Sequence, residues 1–181
     1  MKLIQILNEV TGEYELFVDL DGVLTDFNKQ ITKYFNVPNA DAFFNQSNEN
    51  QEAWQKIKEV GEDFWTGMKW LPGSRQLWSV IQKSGCPIRI LTAPPKPHNI
   101  DMGYIKQVMG WKIQWVRSNL GGVKVLFAYT GEKGKFAKPN RILIDDQDRN
   151  IVDWKGKGGI PVQFDNVQSV VKKLKQLGVK I

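Results

Sequence analysis

Asp19 and Asp21, separated by one residue, stand at and just beyond the end of an apolar run in FVDLDGVLTDF, Phe17 to Phe27. A second acidic pair, Asp145 and Asp146, closes the apolar run RILIDD. Carboxylates placed this way can move protons and hold a hard cation. Gathered at one edge they repel one another, and a divalent ion resolves the conflict. An oxygen-only donor set, with no histidine or cysteine beside it, suits Mg2+.

The rest of the composition narrows the chemistry. The 181 residues contain one cysteine, Cys86, and one histidine, His98, which excludes an internal disulfide framework and any site needing several histidines. Carboxylates, hydroxyls and amines are what remains. The net charge of +6 favours anionic partners, although the basic residues are spread along the chain and read mainly as a solvated surface. No apolar stretch approaches the roughly 20 residues needed to span a bilayer, and MKLIQILNEVTGEYE lacks the pattern of a cleaved leader. The expectation is a soluble, cytoplasmic protein without a membrane partner.

These residues need a scaffold. YELFVDL, PIRILTA, VKVLFA, RILIDD and IPVQFD are short runs rich in Val, Ile, Leu and Phe, as strands covered on both faces are. Helical stretches lie between them, among them GSRQLWSVIQKSG, GYIKQVMGWKIQWVRSN and the tail NVQSVVKKLKQLG. Alternation of this kind predicts an α/β fold: a Rossmann-like parallel sheet flanked by helices. KLIQIL is a candidate extra edge strand. The helix-like pieces NKQITKYF and NQEAWQKIKEVGEDFW contain no good strand, so a small helical cap over residues 28–71 is expected, inserted into a core of residues 1–27 and 72–181. In parallel sheets ligands bind beyond the carboxyl ends of the strands, where both aspartate pairs would sit.

DLDGVLTD resembles the first motif of the haloacid dehalogenase superfamily of phosphohydrolases, and ILTA, GKFAKPN and ILIDD resemble its second to fourth, in order. The combination of DGVLTDF, FW before LPG, ILTAPP and LIDDQDRN is similar to the 5'(3')-deoxyribonucleotidase branch and its phage-encoded relatives. That resemblance implies a Mg2+-dependent phosphomonoesterase acting on nucleoside monophosphates, in the host cytoplasm if the gene is a phage's. It implies that Asp19 attacks phosphorus and that Asp21 serves as acid and base. The cation is then held by Asp19, the main-chain carbonyl of Asp21 and Asp145, with Asp146 a further ligand or a support for one.

Thr92 and the amide of Ala93 are the expected phosphate donors. Lys135 and Lys138 are both candidates for the lysine that balances the phosphate, and Lys135 fits the spacing of the resemblance better. Gly22 lets the chain turn away without crowding the site, Asp26 organises the loop, and His98 reads as a loop residue. Phe43, Phe44, Trp54, Phe64 and Trp65 read first as the cap's own core, with Phe64 and Trp65 also candidates for a base pocket. A polynucleotide end phosphatase and a non-catalytic nucleotide- or partner-binding module are the alternatives that the residues leave open.

Overall fold

A computed structural model of the chain describes residues 14–45 and 50–181. The candidate strand KLIQIL lies outside them. The five apolar runs form β1 (Glu15–Val18), β2 (Ile88–Thr92), β3 (Lys124–Phe127), β4 (Arg141–Asp145) and β5 (Ile160–Gln163), all parallel in the order β3-β2-β1-β4-β5. Having built β2 and β3 on one side of β1, the chain crosses to build β4 and β5 on the other. That reversal leaves a crevice at the carboxyl ends of β1 and β4, where Val18 pairs with Ile144.

The helices are α1 (Phe27–Phe35), α2 (Ala40–Asn45), α3 (Asn50–Val60), α4 (Glu62–Thr66), α5 (Ser74–Gln82), α6 (Met102–Leu120), α7 (Asp148–Gly156) and α8 (Val167–Gln176). Strand periodicity divides the burial between the two sheet faces. Leu16, Val18, Ile90, Ile142 and Ile144 join a large cluster with residues of α5, α6 and α8, whereas Phe17, Leu91 and Leu143 meet Trp154 of α7 on the opposite face. Helices α1 to α4 occupy the stretch expected to be helical, and NQEAWQKIKEVGEDFW is broken at Gly61, whose φ of 72° no helix accepts. Their buried residues Ile31, Phe43, Ile57, Phe64 and Trp65 are continuous with the large cluster. No helix among the described residues is long and apolar enough to cross a membrane.

Candidate active site

The strand carrying the first aspartate pair is shorter than the apolar run that announces it. β1 ends at Val18, and the Leu20 carbonyl accepts from the amides of Leu24 and Thr25 (both 2.8 Å), closing a turn. Asp21 therefore lies on a loop, and the alternation of an extended strand does not explain why it faces the same crevice as Asp19. The turn does. Gly22 sits at φ 87°, and a Cβ there would meet the Asp146 carboxylate, so both backbone conformation and close approach require glycine. Asp26 caps α1, accepting from the Lys29 amide at 2.9 Å. His98 stands in the loop after β2, its carbonyl accepting from Gln51 at 2.8 Å.

Asp19 and Asp145 are buried, and one oxygen from each of Asp19, Asp145 and Asp146 lies within 4.8 Å of the others. Among the described residues a single cation enters this group. Lys133, with no exposed surface, places Nζ 2.8 Å from Asp19 Oδ1 and 2.6 Å from Asp145 Oδ2. It is carried by a 3-10 turn, Lys133–Phe136, which α7 holds in place: Asn150 Oδ1 accepts from the Gly131 amide at 2.8 Å, and Asp153 accepts from the Gly134 amide. Asn150 also donates to both Asp145 oxygens, at 2.9 and 3.1 Å, so one buried side chain positions the lysine loop and the carboxylate together.

Neither Lys135, the lysine expected from spacing, nor its alternative Lys138 reaches the acidic cluster. Lys135 is exposed, with its ammonium 5.7 Å from the Phe136 ring, and Lys138 is exposed too. The tight turn points residues two apart in different directions, so Lys133 goes inward and Lys135 outward.

A second buried ammonium was equally unforeseen. Lys112 of α6 pairs with Asp21 Oδ2 and donates to Thr92 Oγ1 at 3.0 Å and to the Ala93 carbonyl at 2.9 Å. Its signal was present in the sequence: Tyr104, Val108, Lys112 and Val116 recur at helical spacing, and all four are buried. A lysine on an apolar stripe marks a buried charge. Lys133 in KGKFAK has no such signature.

Two ammoniums thus face four carboxylates. The Asp19 carboxyl is pushed up to about 8, burial raising it most, Lys133 opposing the rise, and Asp145, Asp146 and Asp21 adding to it. Burial, then Asp145, raises Asp146 to about 6. Burial by itself would lower the Lys133 ammonium, but Asp19 and Asp145 reverse the direction and hold it above its ordinary value. Asp146 Oδ1 is buried without a hydrogen-bond partner. Undercompensated, all-oxygen and partly orphaned, the cluster suits a hard divalent cation.

Opposite the carboxylates stands an aromatic wall. A cleft of about 180 Å3 is lined by Asp19, Asp21, Thr92, Ala93 and Lys133 on one side and by Phe27, Phe44, Trp54 and Trp65 on the other. Trp54 and Trp65 are parallel to within 4° at 6.4 Å between centroids. Trp65 is almost wholly buried and donates from Nε1 to the Tyr104 hydroxyl at 3.0 Å. Phe64, expected as a pocket residue, lies outside the cleft lining; it is buried behind it against Phe27, Tyr34 and Phe35.

The family model described as 5' nucleotidase, deoxy (pyrimidine), cytosolic type C protein matches residues 14–171. Among solved structures, a haloacid dehalogenase-like hydrolase from Streptococcus pneumoniae is 14% identical with a TM-score of 0.55, covering 88% of this chain and 90% of its own. A protein described as a predicted phosphatase from Clostridium acetobutylicum is 16% identical with a TM-score of 0.53, covering 93% and 92%. A dehalogenase in an intermediate complex is 11% identical with a TM-score of 0.62, covering 93% and 98%. At these identities the structural likeness establishes the fold. No curated protein matches the sequence.

Proposed function

The chain belongs to the 5' nucleotidase, deoxy (pyrimidine), cytosolic type C family, a branch of the haloacid dehalogenase phosphohydrolases, and from that membership we propose that it is a Mg2+-dependent phosphatase of nucleoside monophosphates, deoxyribonucleotides foremost. The observation that carries the reading is the cleft itself, with carboxylates and Lys133 on one wall and four aromatic rings on the other. A phosphate fits the first wall and a nucleobase the second. The cleft's volume of about 180 Å3 is small, which favours a mononucleotide over a strand end.

Asp19 Oδ attacks phosphorus in line as the ester P–O bond breaks, giving an aspartyl phosphate. Asp21 gives its proton to the departing nucleoside oxygen. Water then enters along the reverse path: Asp21 takes its proton, the new oxygen bonds to phosphorus, and the bond to Asp19 breaks, releasing phosphate. Lys133 balances charge on the phosphoryl oxygens, and Thr92 Oγ1 with the Ala93 amide donates to them. The carboxylates of Asp19, Asp145 and Asp146 and the carbonyl of Asp21 would hold Mg2+, which when bound supplies positive charge to a non-bridging phosphoryl oxygen. Helices α1 to α4 act as a cap of about residues 28–71 that keeps water from the reacting group.

The test is a phosphate-release screen with Mg2+ across nucleoside monophosphates, sugar phosphates and 5'- and 3'-phosphorylated oligonucleotides. Nucleoside monophosphates should rank first. A lead for the oligonucleotides would turn the assignment to a strand-end phosphatase, and silence on all of them to a binding module.

A further inference from the structure

Lys112 has no part in the two-step chemistry above, yet it is among the most deeply buried charges described, with no exposed surface. An ammonium carries three N–H donors. Here three acceptors meet it: Asp21 Oδ2, Thr92 Oγ1 and the Ala93 carbonyl. The Trp65 ring lies beside the ammonium, its centroid 5.2 Å from Nζ. Asp21 is gripped from its other side as well, Oδ1 accepting from Thr25 Oγ1 at 3.0 Å. An unpaired charge at this depth is expensive, so the ammonium holds its partners to a fixed geometry.

We infer that Lys112 is a positioning residue that sets the Asp21 carboxylate relative to Thr92, so that proton donor and phosphate-binding hydroxyl are registered by one side chain. This rests on the phosphatase reading. α6 supplies the stiffness: Lys112 is anchored in a 19-residue helix whose neighbouring buried positions, Val108, Trp115 and Val116, pack in the core. Trp65 ties the cap segment to the same point, through the Lys112 ammonium on its face and Tyr104 at its Nε1. The loop bearing Asp21 begins on β1, Thr92 ends β2, and neither strand controls the distance between the two side chains. Lys112 does.

The inference separates from general phosphate binding by leaving group. A nucleoside alkoxide needs the proton that Asp21 donates; p-nitrophenolate leaves without it. Lys112→Met, with similar length and no charge, should lower kcat for a deoxynucleoside 5'-monophosphate by about 10²-fold with KM within a few-fold of wild type. The pre-steady-state burst of p-nitrophenol from p-nitrophenyl phosphate should stay within a few-fold. Lys112→Arg, which keeps the charge and serves as the second variant if the first does not fold, should show a smaller loss with the same preference for the nucleotide. Equal losses on both esters, or a rise in KM with kcat unchanged, would overturn the positioning role while leaving the phosphatase reading intact. A wild-type chain silent on both esters would overturn the reading and the inference together.

Discussion

The two walls of the cleft are built on opposite principles. On the carboxylate wall Asp145 is held by Asn150 and Lys133, and Asp21 by Thr25 and Lys112. On the aromatic wall, rings from α1, α2, α3 and α4 lean on one another, from Phe44 to Trp54 to Trp65. The first wall tolerates little displacement, because low-dielectric electrostatics depend steeply on distance and a broken buried pair leaves a bare charge. Apolar contacts are weakly directional, so the second can change its members and remain a wall. On the proposed reading, chemistry belongs to the rigid side and substrate choice to the adaptable one.

The largest effect should come from the carboxylate wall. Asp19→Asn should abolish turnover, by roughly 10⁴-fold or more, and prevent acid-stable labelling of the protein by phosphate. Label retained on another residue would remove Asp19 as nucleophile. Next comes Lys133→Ala, with a loss of roughly 10²- to 10³-fold in kcat, against a change of less than about twofold for Lys135→Ala. The reverse ranking would restore Lys135.

Smaller and more selective effects should mark the aromatic wall. Trp54 is only partly buried and donates no hydrogen bond among those described, so Trp54→Ala tests stacking with little disturbance to the core. Catalytic efficiency on nucleotides should fall by about 5- to 150-fold while ribose 5-phosphate changes little, from a stacking contribution of roughly 1–3 kcal/mol. Trp65→Ala should instead lower the melting temperature as a buried Trp truncation costing about 3–5 kcal/mol, and reduce turnover on both substrates. Equal behaviour of the two tryptophans would erase the distinction between a stacking ring and a buried support within the wall.

The subtlest test is pH. The unfolded chain releases the Asp19 proton near its ordinary value of 3.8, whereas the cation-free folded chain keeps it until about 8. Stability of the cation-free protein should therefore fall as pH rises between those values and level off above them. Mg2+ requires the ionised carboxylate, so it should bind more tightly as pH approaches 8, release protons on binding below that pH, and raise the melting temperature more at pH 8.5 than at 6.5. A Mg2+ gain independent of pH would remove Asp19 from the ligand set.

Sequence alone determined the sheet and the acidic edge, because both are written locally. An apolar β-branched run reads as a buried strand without its neighbours, and the aspartates that close β1 and β4 arrive at the crevice because the strands are parallel and adjacent. Composition, with one histidine and one cysteine, had already left oxygen as the donor. What sequence could not decide was direction within turns and partnership across distance. Lys133 and Lys135 differ only in which way a 3-10 turn points them, and Phe64 and Trp65, adjacent in the chain, differ in that one lines the cleft and its neighbour backs it. Lys112 reaches Asp21 across 91 residues, and Asn150 joins the β3–β4 loop to Asp145. Pairings of that kind depend on how helices seat on a finished sheet, and only tertiary packing, which makes a buried charge costly until it finds its partners, selects them.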